Sequence, residues 1–238
     1  MMRLDKFLSH QGYGSRKDVK KILSQGKVTV NDQVIKQAKF QVDPIKDQVK
    51  LNSKIIDYQK YVYYLLNKPA GFISATEDQS YQTVIDLIRE EDQRPGLFPV
   101  GRLDIDTTGL LLITNDGQLG HRLTSPKHEV DKVYEALIKG IADQNTVDLF
   151  GQGLDLGDFV TRPAYLNVIS TDEVQNLSHV QVTIHEGKFH QVKRMFKTCD
   201  LEVLKLKRLR MGPLYLEESL HEGTYRKLTD QEIQQLGQ

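Results

Sequence analysis

The stretch Leu97–Gly117, LFPVGRLDIDTTGLLLITNDG, sets a charged loop directly before a purely apolar segment. Leu110 to Ile113 run without a polar residue between Gly109 and the turn signal Asn115-Asp116-Gly117. That is the pattern of a strand buried on both faces, with a short buried helix as the alternative that periodicity alone leaves open. We read it as a central strand. Just before it stand Arg102, Asp104 and Asp106, in a loop delivered to the edge of a core, where burial perturbs ionisation and catalytic groups gather. The same spacing also suits a structural ion pair between Arg102 and Asp104, with Thr107, Thr108 and Gly109 forming the turn.

Working outward, Asn67-Lys68-Pro69-Ala70-Gly71 follows the apolar run Tyr61–Leu66, a buried strand, and makes a tight turn that aims Lys68 in a set direction. Thr83 with Asp86 reads as the cap of a helix carrying Val84, Ile85, Leu87 and Ile88. Asp116 caps a short helix that stops at Ser125-Pro126. Val133–Lys139 alternates as a strand with Tyr134 near its start, and Pro163–Ile169 and Val180–Ile184 are further strands. A helix is predicted over Lys188–Thr198, then a strand over Leu201–Arg210, and Thr229 with Glu232 caps a closing helix.

The N-terminal sixty residues differ in kind. Leu4, Phe7 and Leu8 make the stripe of a first short helix. Ser15 and Asp18 form a capping box for a second, with Val19, Ile22 and Leu23 on one face and Arg16, Lys17, Lys20 and Lys21 on the other, ending at Gly26. Lys27–Val30 and Gln33–Ile35 then pair across Asn31-Asp32. Residues 1–60 hold 13 Lys and Arg against 6 Asp and Glu, so the remainder of a net-neutral chain holds 19 against 26. A basic module (+7) is joined to an acidic one (−7), an asymmetry that suits a polyanion, because Lys and Arg facing phosphates release counterions. Within the acidic part, residues 186–210 carry 8 basic against 3 acidic residues and offer a second basic surface.

Composition excludes several classes. A chain of 238 residues, 39% hydrophobic, buries a real core. No run has the apolar length of a membrane span and Met1–His10 holds no apolar signal region, so the cytoplasm is the expected compartment. One cysteine, Cys199, excludes an internal disulfide, and no histidine or cysteine spacing supports a metal site.

Two resemblances appear. Arg3–Ile35, RLDKFLSHQGYGSRKDVKKILSQGKVTVNDQVI, resembles the small RNA-binding module of ribosomal protein S-four, which implies RNA contact through Arg3, Arg16, Lys17, Lys20, Lys21 and Lys27. Asn67–Gly71, Gly101–Leu112, Lys132-Val-Tyr134 and Glu186-Gly-Lys-Phe-His-Gln-Val-Lys-Arg-Met195 occur in the order seen in bacterial ribosomal RNA pseudouridine synthases. The last of these motifs, reading His-Gln-Val-Lys, is most similar to the branch that modifies small-subunit (16S) rRNA. The resemblance implies an α+β fold: an RNA-binding module over 1–57, then a catalytic domain over 61–238 with a mixed, largely antiparallel sheet flanked by helices. It assigns Asp104 as the catalytic carboxylate, above the competing acids Asp106 and Asp116. Tyr134 becomes the platform for a flipped base, and Lys193 the cation that keeps Asp104 ionised. Arg102 shares that duty or binds phosphate, Lys68 joins the substrate contacts, Arg194 the RNA contacts, and Leu204 or Leu206 covers the base. Isomerisation loses no atom, so no cofactor is expected. The expected partner is ribosomal RNA in a small-subunit precursor, bound by a monomer without membrane contact.

Overall fold

Apolar spacing decides the first elements. In the computed structural model, which describes residues 1–125 and 129–237, α1 (Leu4–His10) buries Leu4, Phe7 and Leu8. The second helix, α2 (Arg16–Ser24), buries Val19 and Leu23. Its capping box is complete: the Ser15 hydroxyl accepts from the Asp18 amide at 3.3 Å, and the Asp18 carboxylate accepts from the Ser15 amide at 3.2 Å. Because the apolar stripe turns inward, Arg16, Lys17, Lys20 and Lys21 are left exposed, as is Lys27. A four-stranded sheet, in the order Gln33–Val34, Val28–Val30, Val49–Leu51, Lys54–Ile55, completes the core with Val28, Val30 and Val49. This compact unit takes in Met1–Val62 and also Ile88–Leu97; the other unit comprises Tyr63–Leu87 and Phe98–Gln238.

In the second unit the predicted central strand is present as Thr108–Thr114, with Leu110, Leu111, Leu112 and Ile113 all fully buried. Tyr63–Lys68 lies antiparallel to it on one side, flanked by Tyr225–Lys227. On its other side comes Glu202–Met211, followed outward by Lys132–Lys139, Leu177–Ile184 and Tyr165–Asp172, all antiparallel to one another. The sheet is thus mixed and largely antiparallel. Its only parallel contact among the described residues is the seam between the two halves, where Thr108 faces Lys207 and Gly109 faces Arg208. Helices α3 (Gly117–Thr124), α4 (Gln144–Gln152), α5 (Gln191–Thr198) and α6 (Asp230–Gly237) complete the unit. No helix among the described residues is long and apolar enough to cross a membrane.

Some expectations are corrected. Thr83–Ile88 is a run of turns and not a helix, although the Asp86 carboxylate does accept from the Thr83 amide at 2.7 Å. The amide of Val84 is taken by the carbonyl of Ile73 at 3.0 Å, so the segment pairs with its neighbour instead of coiling. The helix expected from Lys188 begins at Gln191, because the Gln191 side chain reaches back to the Lys188 amide and His190 adopts a left-handed conformation, φ 48°. The helix Gln144–Gln152 has no counterpart among the elements expected, though Asp143 and Thr146 form a capping box for it. The α3 stop expected at Ser125-Pro126 falls partly outside the described residues, since Pro126 is not among them; Ser125 is the cap.

The seam depends on Gly109. Its φ is +101°, and a Cβ there would stand 2.3 Å from the carbonyl oxygen of Arg208, on backbone that cannot give way. Gly109→Ala is therefore expected to destabilise the second unit by about 3 kcal/mol. Urea unfolding followed by near-UV circular dichroism of the tyrosines checks this, and stability within about 0.5 kcal/mol of wild type would contradict the seam.

Candidate active site

The loop Arg102–Thr107 enters the seam directly, and three groups fix its backbone. The Ser74 hydroxyl donates to the Leu103 carbonyl at 2.9 Å and accepts from the Leu103 amide at 3.0 Å. The Gly71 amide donates to the carbonyl of Ile105 at 2.8 Å. The Lys68 ammonium, in a fully buried side chain, donates to the carbonyls of Pro69, Asp104, Ile105 and Thr107 at 2.9 to 3.3 Å. Lys68 is therefore not offered to a substrate as the sequence suggested: its charge is used on the loop backbone. Burial lowers the ammonium to about 8, against the opposing pull of the Asp106 and Asp104 carboxylates.

So held, Asp104 meets α5. Lys193 Nζ lies 3.2 Å from Asp104 Oδ2 and 2.6 Å from Asp106 Oδ1, so one ammonium serves two carboxylates. Partial burial pulls Lys193 down, but the hydrogen bonds it donates to Asp106 and Asp104 outweigh it and hold the ammonium above the usual lysine range. The same hydrogen bond from Lys193 holds Asp106 below the usual carboxylate range. The pairing expected for Lys193 is present, with Asp106 as an additional partner. His190 Nε2 stands 3.5 Å from Asp104 Oδ1. Arg102 is exposed and lines the cleft, yet the basic side chains within 4 Å of Asp104 among the described residues are Lys193 and His190, so the Arg102–Asp104 pair is not formed. Asp116 is occupied elsewhere: it caps α3 through the amides of Gln118 and Leu119 and accepts from the Tyr63 hydroxyl at 2.9 Å.

Asp104 opens onto a cleft whose apolar walls include Leu103, Tyr134, Ile184, Val192 and Leu206. Tyr134 is 7% exposed, and the pairing of its strand with Glu202–Met211 shifts register between Val133 and Tyr134. Such a bulge re-aims a side chain. Leu206, 7% exposed, is the leucine that lines the cleft; Leu204 is 46% exposed and does not. Arg194 is engaged with the Asp158 carboxylate and donates to the Leu156 carbonyl at 2.9 Å. Arg3 is paired with Asp5 at 2.6 Å. Burial pushes the Cys199 thiol up, the wrong direction for a nucleophile.

His190 was not expected as a site residue, although it sits inside the motif Glu186–Met195; its turn toward Asp104 depends on a left-handed backbone, φ 48°, that spacing does not reveal. Among the described residues no group of three or more histidine, cysteine or acidic side chains could hold a metal ion. The arrangement provides a carboxylate, paired to an ammonium, at the mouth of an apolar slot with an aromatic ring on its wall, which suits a flat base with its sugar against the acid.

The family of RNA pseudouridylate synthases matches residues 62–198, the part that carries this cleft. The chain belongs to that family. This pseudouridine synthase also matches the S4 domain over residues 2–49. It is 40% identical over 237 residues to ribosomal large subunit pseudouridine synthase B of Bacillus subtilis, covering 99% of this chain and 96% of that protein. It is 41% identical over 234 residues to ribosomal small subunit pseudouridine synthase A of Vibrio vulnificus, covering 98% of both. Among solved structures, a crystal structure of a pseudouridylate synthase is 34% identical, with a TM-score of 0.67 over 99% of this chain and 100% of that one.

If Lys193 orients the carboxylate, Lys193→Met lowers the maximal single-turnover rate of the synthase on the order of a hundredfold with little change in RNA affinity. The exposed neighbour serves as control, and Lys197→Met is expected to leave the rate alone. Single-turnover rates at saturating RNA decide it; equal, binding-only defects in both variants would overturn the pairing.

Proposed function

We propose that this synthase converts a uridine of ribosomal RNA to pseudouridine with Asp104 as its catalytic carboxylate. The observation that carries the reading is the placement of Asp104, paired to Lys193, at the edge of the slot formed by Tyr134 and Leu206. The bond from the ribose anomeric carbon to N1 breaks and positive charge develops on the sugar, where an ionised carboxylate stabilises it or attacks. The detached uracil stays in the slot and turns, and the anomeric carbon bonds to C5. C5 then loses its proton and N1 gains one, so atoms and electrons balance without a cofactor. Because the uracil is the reacting partner itself, no second carboxyl is needed to expel a leaving group. Reaching the bond in folded RNA requires the nucleotide to be extruded, and Tyr134 provides the stacking surface for it.

Ribosomal RNA as substrate is supported by the names of the two ribosomal relatives and by the exposed cations of α2 with Lys27. We assign the small-subunit RNA on the His190-Gln-Val-Lys193 form of the last motif, and we take the partner to be a precursor particle in the cytoplasm, bound by a monomer. The large-subunit relative, at 40% identity, favours the second reading, in which the target lies in 23S rRNA. Mapping pseudouridines in 16S and 23S rRNA from cells with and without the protein separates the two: one site should vanish from 16S rRNA, and a loss confined to 23S rRNA transfers the assignment.

Asp104→Asn is expected to abolish pseudouridine formation while rRNA binding stays close to wild type, since charge and not shape is required. Substantial turnover by this variant would move suspicion to Asp106. For the basic module, replacing Lys17, Lys20 and Lys21 together by Glu is expected to weaken rRNA binding. It should also flatten the plot of log affinity against log salt by about 0.7–0.9 for each phosphate that is no longer neutralised. An unchanged slope would mean that α2 faces something other than RNA.

A further inference from the structure

A second cavity, of about 130 Å³, shares Arg102, Tyr134, Gly187 and Lys188 with the cleft and is walled by Arg208 and Lys132, neither of which the reaction uses. Arg208 is 2% exposed. Its Nε donates to the Leu110 carbonyl at 2.8 Å, its guanidinium lies 6.0 Å from the centroid of the Tyr134 ring, and its Nη2 is buried without a partner. No carboxylate among the described residues lies within ion-pair distance of it. Lys132 Nζ donates to the Val130 carbonyl at 2.8 Å. Burial, followed by the neighbouring Arg208 charge, lowers this ammonium to about 8 in spite of Asp131 and Glu186.

Two cations in one enclosed, poorly solvated space repel, and buried charges in proteins are ordinarily paired. The acids nearby, Asp131 and Glu186, offset part of this charge, but neither forms an ion pair with Lys132 or Arg208. Asp131 faces His185 at 2.8 Å, and Glu186 accepts from the Gln191 side chain at 2.8 Å and from the Arg162 amide at 3.0 Å. What the space lacks is an anion with oxygens for a guanidinium edge and an ammonium, which is the recognition chemistry of a phosphate. We propose that this cavity receives a phosphodiester of the RNA strand beside the extruded uridine, held by Arg208 and Lys132. Tyr134 borders both cavities, so the ring that faces the base also lies along the guanidinium that holds its backbone. The site clamps the flipped nucleotide by its charge while the apolar slot holds the base. This rests on the reading of the cleft as a uridine site.

The test uses full-length protein and unmodified 16S and 23S rRNA transcripts, with wild type, Lys132→Met, Lys132→Arg and Arg208→Lys. Lys132 is the primary position because Arg208 also serves the sheet seam. Affinity is measured against potassium chloride concentration, pseudouridine formation at saturating RNA, and melting temperature with and without inorganic phosphate. The expected result is a salt slope flatter by about 0.7–0.9 for Lys132→Met, restored by Lys132→Arg, and for Arg208→Lys a slower single-turnover rate measured well below its own melting temperature. If wild type converts the transcript but Lys132→Met and Arg208→Lys keep its slope and rate, the phosphodiester site is overturned and the uridine reading stands. If the slopes are equal and inorganic phosphate stabilises wild type but not Lys132→Met, the cavity takes a free anion and the RNA assignment is overturned. A wild type that neither binds nor converts either transcript overturns the uridine reading, and the phosphodiester assignment with it.

Discussion

The Lys68 ammonium, surrounded by four backbone carbonyls, is the interaction on which the site depends. Three of those carbonyls belong to Asp104, Ile105 and Thr107, so a single charge gathers the loop into one conformation from inside the fold. Such a cage satisfies the donors of an ammonium without a carboxylate that would compete for the loop. The cost of burying the charge shows in its lowered proton affinity. Leaving this lysine out would strand several carbonyls away from water as well as free the loop, which is why its role is architectural although it comes from the first of the motifs.

With the backbone held, few side chains are needed to set the charge. Lys193 neutralises Asp104 and Asp106 together, and the shorter contact is to Asp106, the more exposed of the two. The second acid thus draws the ammonium toward solvent and leaves Asp104 with a longer, weaker partner on one oxygen and the His190 ring near the other. A carboxylate that is oriented but not fully engaged retains lone pairs for an approaching sugar. The apolar side of the cleft contributes by keeping water sparse around that charge, which strengthens every electrostatic contact made there.

What could be read in the residues followed physical range. The capping box of α2, its buried stripe and the buried strand at Leu110–Ile113 are local patterns, and each is present in the structure. The α+β class was legible in the pattern of elements, but the mixed, largely antiparallel sheet came from resemblance, since the long-strand partners of Thr108–Thr114 lie some forty residues before it and nearly a hundred after. The Thr83 cap was visible, but Thr83 bridges to Ile73 and the segment closes only a turn, a tertiary choice that overrides propensity. Lys68 was legible as a directed lysine and not as a buried one, because its acceptors are backbone carbonyls, and these have no residue signature. Lys132 and Arg208 stood in plain view among the basic residues of their strands, yet only the fold shows that they share one enclosure.

The seam has a further meaning for the cleft. Lys132–Lys139 and Leu177–Ile184 are registered over eight residue pairs, whereas Thr108-Gly109 and Lys207-Arg208 are registered over two. Along the row of long strands this is the shortest ladder, and the Arg208 Nε to Leu110 carbonyl bond and the shared packing of Leu110 and Leu112 with Met211 and Leu214 supply what the ladder does not. The loop bearing Asp104 and the guanidinium of Arg208 both attach there. The width of the cleft is therefore set where the two half-sheets meet, and any change in the packing across that line would be felt at Asp104 and at Arg208 together.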